Sequence, residues 1–200
     1  KKSGCDYFVS DFDNMKFDYL DKILSEGRVS IIASFDFTRL KNGKLVYEPI
    51  LYLRARNINR DIIDLLSFKT TCASLTETGC SYDITKRPSG GATLIPSTTG
   101  PCYSEVDRME EMNKWRTYQK VLSKLVKKYT NMSVEEKIKN DVETLIFNLL
   151  TKNYQGVSPI EIEDIKGMLP YLQECFPNEC KNALLKYRAT TSPLTKKKTK

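Results

Sequence analysis

The chain has 200 residues, 40% of them apolar and 28% charged, enough for one hydrophobic core and too apolar for a disordered chain. It contains no histidine, which excludes Ser-His and Cys-His nucleophilic triads, HExxH zinc sites and any imidazole proton shuttle. No run of about eighteen apolar residues occurs, so no segment reads as a membrane-spanning helix.

Ser10 and Asp13 form a Ser-x-x-Asp helix start, followed by Met15, Tyr19 and Ile23 at helical spacing with Leu20 and Leu24 alongside. Gly27 ends the pattern, which predicts a helix over about residues 11–25. Val29, Ile31, Ala33, Phe35 and Phe37 then alternate with polar residues, and after Asn42-Gly43 a second apolar set runs through Leu45, Tyr47, Leu51, Leu53 and Ala55. Asn-Gly between such runs predicts a β-hairpin. A two-residue loop would pair Phe35 with Ile50 and set the two apolar series on opposite faces. A shift by one pairs Phe37 with Tyr47, Ala33 with Leu51 and Ile31 with Leu53, all on one face. The expected connection is therefore a three-residue loop with a bulge at Gly43. Pro49 cannot donate to a ladder, so the second strand is expected at an edge or broken there.

Asn59 reads as the cap of a short helix from Arg60 to Phe68, and a short strand is expected near Tyr82–Ile84. Residues 86–101, rich in Pro, Gly, Ser and Thr, read as a long mobile loop whose only large aliphatics are Leu94 and Ile95. Its ends are expected to be fixed through Cys80 and Cys102, joined to each other or each tied to a neighbouring element. Trp115, Tyr118, Leu122, Leu125 and Tyr129 form an apolar seam on a helix starting near Ser104. Ser133 and Glu136 form a capping box before Ile138, Val142, Leu145, Ile146 and Leu149. Ser158-Pro159-Ile160-Glu161 starts a further helix with the stripe Ile162, Ile165, Leu169 and Leu172, interrupted at Pro170, and a last helix spans about 179–189. These elements predict an α+β fold: an N-terminal helix and an antiparallel hairpin-based sheet, then a helical half of three to four helices. The expected organisation is a single domain over 1–190 (helix plus sheet 1–85, loop 86–101, helical half 102–190) with a basic disordered tail at 191–200.

The net charge of +7 is concentrated at the ends. Removing Lys1, Lys2, Lys196, Lys197, Lys198 and Lys200 from the 32 basic residues leaves 26 against 25 acids, so the body is nearly neutral. The strongest binding candidate within it is a helix face without acids: Arg116, Lys120, Lys124 and Lys128 recur at every fourth position with Lys127 beside them. Such a stripe suits an anionic glycan, an acidic protein or, less favoured, nucleic acid.

Six cysteines, Cys5, Cys72, Cys80, Cys102, Cys175 and Cys180, contain no CxxC spacing and fall at expected loops or element ends, as disulfides do. Asn131-Met132-Ser133 is an N-glycosylation sequon, and a chain beginning at Lys1 is what signal-peptide removal leaves. Asp11-Phe12-Asp13 lacks the glycine and terminal glutamate of a calcium loop, and Ser89-Gly90-Gly91 lacks P-loop spacing. Neither metal nor cofactor is expected.

Leu24-Ser25-Glu26-Gly27-Arg28-Val29-Ser30-Ile31, followed by a long hairpin and the Asn59-x-Asp61-Ile62-Ile63 segment, resembles the opening αββα of LAGLIDADG homing endonucleases over about residues 17–85. That resemblance implies a divalent-metal-dependent DNA endonuclease in which Glu26 binds the metal; Asp21 and Lys22 stand where the family packs small residues between helices. The residues themselves point to a different reading: a secreted, disulfide-stabilised, non-enzymatic binding protein for an extracellular or host macromolecule or ligand.

Overall fold

The computed structural model describes residues 4–58, 60–66, 71–95, 104–154, 157 and 159–191. It is an α+β fold with an N-terminal helix, a two-stranded antiparallel hairpin and a helical C-terminal half. Helix α1 (Phe17–Ser25) buries Leu20 and Leu24 on one stripe. It starts six residues later than its apolar spacing suggests. Asp11 is turned back to accept the Phe8 N–H at 2.8 Å, which holds Val9–Asp11 in a 3₁₀ turn. Phe12 then packs against Tyr7 and Trp115, with ring centroids 5.2 and 6.0 Å away. Gly27, at φ +86°, ends the helix region as expected.

Strands β1 (Val29–Arg39) and β2 (Leu45–Ala55) adopt the expected register, with Ile31 opposite Leu53, Ala33 opposite Leu51 and Phe37 opposite Tyr47. Leu40 and Lys44 close a three-residue loop through Leu40 N–H to Lys44 C=O at 2.9 Å, and Gly43 sits at φ +81°. Both edges of the inner half are covered. Tyr7 N–H donates to Leu53 C=O and Ala55 N–H to Cys5 C=O, laying the N-terminal segment along β2. The Gln119 side-chain amide bonds both backbone groups of Leu51, at 2.9 Å each. Outward-facing backbone groups on β2 thus fall at 51, 53 and 55, and the same alternation turns position 49 outward. Pro49 lacks an N–H only where the hairpin needs none, so β2 runs through it unbroken.

The other edge overturns an expectation. Residues 60–66 form no helix: they lie along β1 with one parallel bridge at Ile63 and a turn at 65–66, and Ile31 N–H donates to Ile62 C=O, Asp64 N–H to Ile31 C=O and Ala33 N–H to Leu65 C=O. Ile63 and Leu65 enter the core two residues apart, a strand period, because the free edge of β1 supplies hydrogen bonds that an isolated short helix lacks. The helix after the hairpin that the endonuclease resemblance requires is therefore missing over these residues, and α1 packs instead against the later helix at Gln119–Thr130 through Asp21, Lys128 and Tyr129.

The strand expected near Tyr82–Ile84 is replaced by a two-residue hairpin, β3 (Leu75–Thr76) and β4 (Gly79–Cys80), and a 3₁₀ turn Ile84–Lys86 capped by Asp83. The described part of the stretch read as a loop over 86–101 holds a one-turn helix, α2 (Ser89–Ala92). It is tied down: Ser89 N–H donates to Asp11 Oδ2 at 3.0 Å and Gly90 N–H to Asp6 C=O at 3.1 Å.

The described helical half has five helices, α3 (Arg108–Trp115), α4 (Gln119–Thr130), α5 (Val134–Thr151), α6 (Pro159–Cys175) and α7 (Pro177–Thr191). There are five rather than four because a 3₁₀ turn at Arg116–Tyr118 divides the helix expected through Trp115; the last helix, expected over about 179–189, runs from Pro177 to Thr191. Asp107, not Ser104, caps α3, accepting from Met109 and Glu110 N–H. The capping box at Ser133 and Glu136 forms as read. Helix α6 continues through Pro170. Trp115, Leu122, Leu125, Ile138, Val142 and Leu172 are fully buried, each contributing about 1.5–3 kcal/mol from removal of apolar surface from water. No helix of the described residues is long and apolar enough to cross a membrane.

Candidate functional site

Helix α4 positions the candidate site. Its apolar residues Leu122, Leu125 and Val126 are at 0% exposure, and the helical period rotates Lys120, Lys124 and Lys127 onto the opposite, exposed side. The five cations expected to act together divide into two groups. Arg116 lies in the 3₁₀ turn ahead of α4, where Nη1 meets Glu48 at 2.6 Å, Nη2 meets Asp36 at 3.7 Å and Nε donates to Asn113 at 3.1 Å. It holds the outward face of the hairpin. Lys128 donates to Asp21 at 2.6 Å and lies 5.7 Å from the centroids of Phe17 and Tyr129, fastening α4 to α1. Hydrogen bonds from Lys128 and Tyr129 hold the Asp21 carboxyl below its ordinary pKa range.

The three remaining lysines are directed to solvent. Lys127 Nζ donates to Asn131 C=O at 2.7 Å, which orients it along the helix end without neutralising it. Lys120 and Lys124 form no ion pair among the described residues. Asn131, the sequon residue, is exposed at φ +57° between α4 and α5, next to this face, while Ser133 serves as the α5 cap.

The remaining sequence motifs have internal partners. Asp11 accepts from Phe8 N–H, Ser89 N–H and Ser89 Oγ, while Asp13 is exposed, so the Asp-x-Asp segment is a turn-and-cap device. The Ser89, Gly90 and Gly91 amides donate to Asp11, Asp6 and Pro88. Glu26 is exposed at the end of α1, and no group of three Cys, Asp or Glu among the described residues is placed to hold a metal ion.

Cys72, Cys80, Cys175 and Cys180 are free thiols here, where pairing of all six cysteines was expected; Cys102 lies outside the described residues. Burial raises the thiol pKa of Cys175 and of Cys180, which makes both poor nucleophiles. Cys5 presses against α2: a Cβ built on Gly91 would lie 2.3 Å from its sulfur.

Sequence reasoning missed two polar clusters. Arg54 and Asp6 pair at 2.7 Å with side chains 6% and 12% exposed, a contact 48 residues long that no local signal announces. Arg60–Asp64 and Lys137–Asp141 are ion pairs four residues apart, a spacing legible in the sequence. Comparison with family models, with curated proteins and with solved structures finds no match to this chain.

Proposed function

We propose that this is a secreted, non-catalytic binding protein that holds an anionic extracellular macromolecule, protein or glycan, on the lysine face of α4. One observation carries the reading. Of the five cations on this stripe, Arg116 and Lys128 are neutralised by carboxylates of the hairpin and α1, while Lys120, Lys124 and Lys127 stay exposed at spacings of four and three. Three ammonium groups along about 10 Å of one rigid helix face give a polyanion a short row of charges, with affinity gained by counterion release.

Secretion is supported by the even set of six cysteines and by a sequon at an exposed turn. The acids and hydroxyls that resembled catalytic or phosphate-binding motifs are engaged within the fold, which supports a role in binding without chemistry.

Retention on a heparin column across a salt gradient tests the reading. The variant Lys120→Glu/Lys124→Glu is expected to elute at much lower salt than the parent, with unchanged melting, since both side chains are exposed. Loss of retention on deletion of residues 191–200, with full retention in the double variant, would overturn it in favour of the tail.

A further inference from the structure

Helix α5 turns a polar stripe, Lys137, Asp141, Thr144 and Asn148 at spacings of four, three and four, toward the 60–66 segment. A stripe facing another element is ordinarily apolar. Between the two lies a cavity of about 150 Å³. Its charged lining is unbalanced, Asp61, Asp64 and Asp141 against Arg60 and Lys137, for a net charge of −1.

Both cations already have partners. The Arg60 guanidinium clamps Asp64, with Nε donating to Oδ2 at 2.8 Å and Nη2 to Oδ1, and Lys137 Nζ donates to Asp141 Oδ1. The other Asp141 oxygen, Oδ2, is buried and accepts no hydrogen bond among the described residues. Thr144 Oγ1 donates its proton to Asn140 C=O at 2.9 Å, so toward the cavity it can only accept. Asn148 also lines the cavity, and its side-chain amide carries one acceptor oxygen.

The cavity therefore offers three oxygen acceptors beside Ile63 and Leu145, and its unbalanced charge is the carboxylate of Asp61, since Asp64 pairs with Arg60 and Asp141 with Lys137. An anion finds no uncommitted cation there, and a hard divalent ion wants six or more oxygen ligands with several carboxylates. Three acceptors and one negative charge match the three N–H donors and single charge of an –NH₃⁺ group, and the apolar side chains suit a short methylene stem.

We propose that this cavity binds a primary alkylammonium group, held by Asp141, Thr144 and Asn148, with its stem against Ile63 and Leu145. The binding form of Asp141 is the carboxylate. Burial and Asp64 raise its pKa, Lys137 and Asn140 lower it, and Arg60 and Asp61 face it from the opposite segment. A bound cation favours the ionised form, so binding releases protons and weakens as pH falls through the acid range.

The test is a heteronuclear NMR titration of the full chain with n-butylammonium chloride, with neutral 1-butanol as control. Saturable shifts at residues 62–66 and 141–148, with a dissociation constant in the millimolar range or tighter, are expected from the amine and not from the alcohol. Asp141→Asn should weaken binding about tenfold or more, since it removes the charge-assisted acceptor. Asn148→Leu, at a position not fully buried, should weaken it several-fold with melting unchanged, and keeps the test alive if the Asp141 variant does not fold. A Gly-Lys-Gly peptide identifies the source: tighter binding than butylammonium makes the occupant a partner's lysine, and weaker binding makes it a free amine. Shifts that do not saturate, equal shifts from butanol, or unchanged affinity in both variants would each overturn the proposal.

Discussion

Arg54 of β2 donates through Nε to Asp6 Oδ1 at 2.7 Å and through Nη2 to the Tyr52 hydroxyl at 3.0 Å, with the ion pair almost wholly removed from water. This contact fixes the N-terminal segment along the hairpin, and α2 is fixed in turn, since Gly90 N–H donates to the Asp6 carbonyl. Burial works against the Arg54 charge, but the Asp6 carboxylate bonded to it outweighs that cost and the guanidinium stays charged. Asp6→Ala is expected to destabilise the protein by about 3–5 kcal/mol, because it removes a hydrogen-bonded carboxylate from a buried guanidinium. Asp6→Leu combined with Arg54→Met should cost less than Asp6→Ala alone, by the same logic. Chemical denaturation of the three variants measures the difference, and a near-neutral Asp6→Ala would refute it.

The glycines of α2 are expected to be intolerant for a steric reason. A Cβ on Gly90 would meet the Asp6 carbonyl oxygen at 2.5 Å, and one on Gly91 the Cys5 sulfur at 2.3 Å. Gly90→Ala meets backbone that cannot swing aside, and Gly91→Ala meets the Cys5 Cβ at 2.8 Å as well as its sulfur, so each should cost about 1–3 kcal/mol or more. Gly43→Ala meets nothing within 4 Å, yet φ is +81°, and it should cost about 1 kcal/mol through backbone strain alone. Thermal melts of the three variants rank these effects.

Pro49→Ala restores an N–H that points away from β1. A change within about 0.5 kcal/mol is expected, in contrast to Gln119→Leu, which strips Leu51 of both edge partners and should cost about 1–3 kcal/mol. Equal destabilisation by the two substitutions would show that the edge bonds of β2 contribute little.

The lowered Asp21 pKa sets a pH dependence. As pH falls, the unfolded chain binds this proton before the folded one does. The stabilisation is therefore present above the unfolded pKa of about 3.9 and is lost as pH falls through the lower folded value. Asp21→Asn should make the acid limb of the stability curve shallower. Urea melts across the acid range give the two slopes, and identical slopes would remove Asp21 from the account.

The proposed secretion predicts oxidation. Protein isolated from an oxidising compartment, denatured without reductant, should show no titratable thiol among its six cysteines. Recovery of most of them as free thiols would count against the extracellular reading and leave the lysine face untouched, since α4 needs no disulfide to present it.

Much of the architecture was local enough to be legible. The register of β1 against β2 followed from requiring Ile31, Ala33 and Phe37 to share a face with Leu53, Leu51 and Tyr47, because a slip of one residue would turn an entire apolar set to water. Gly43, the Ser133–Glu136 box and the Trp115, Leu122 and Leu125 stripe were equally readable, each being a rule about residues a few positions apart. Segment 60–66 was not: its Ile62, Ile63, Leu65 and Leu66 fit a short helix alone, and only the open edge of β1, thirty residues earlier, draws it out alongside the hairpin through a bridge at Ile63. The candidate site divided the same way. Spacing placed Arg116, Lys120, Lys124, Lys127 and Lys128 near one another, but which were neutralised depended on Glu48, Asp36 and Asp21, brought in from the hairpin and α1. The period of a helix decides which charges share a side; chain folding over many residues decides which of them meet an opposite charge and which remain for a partner.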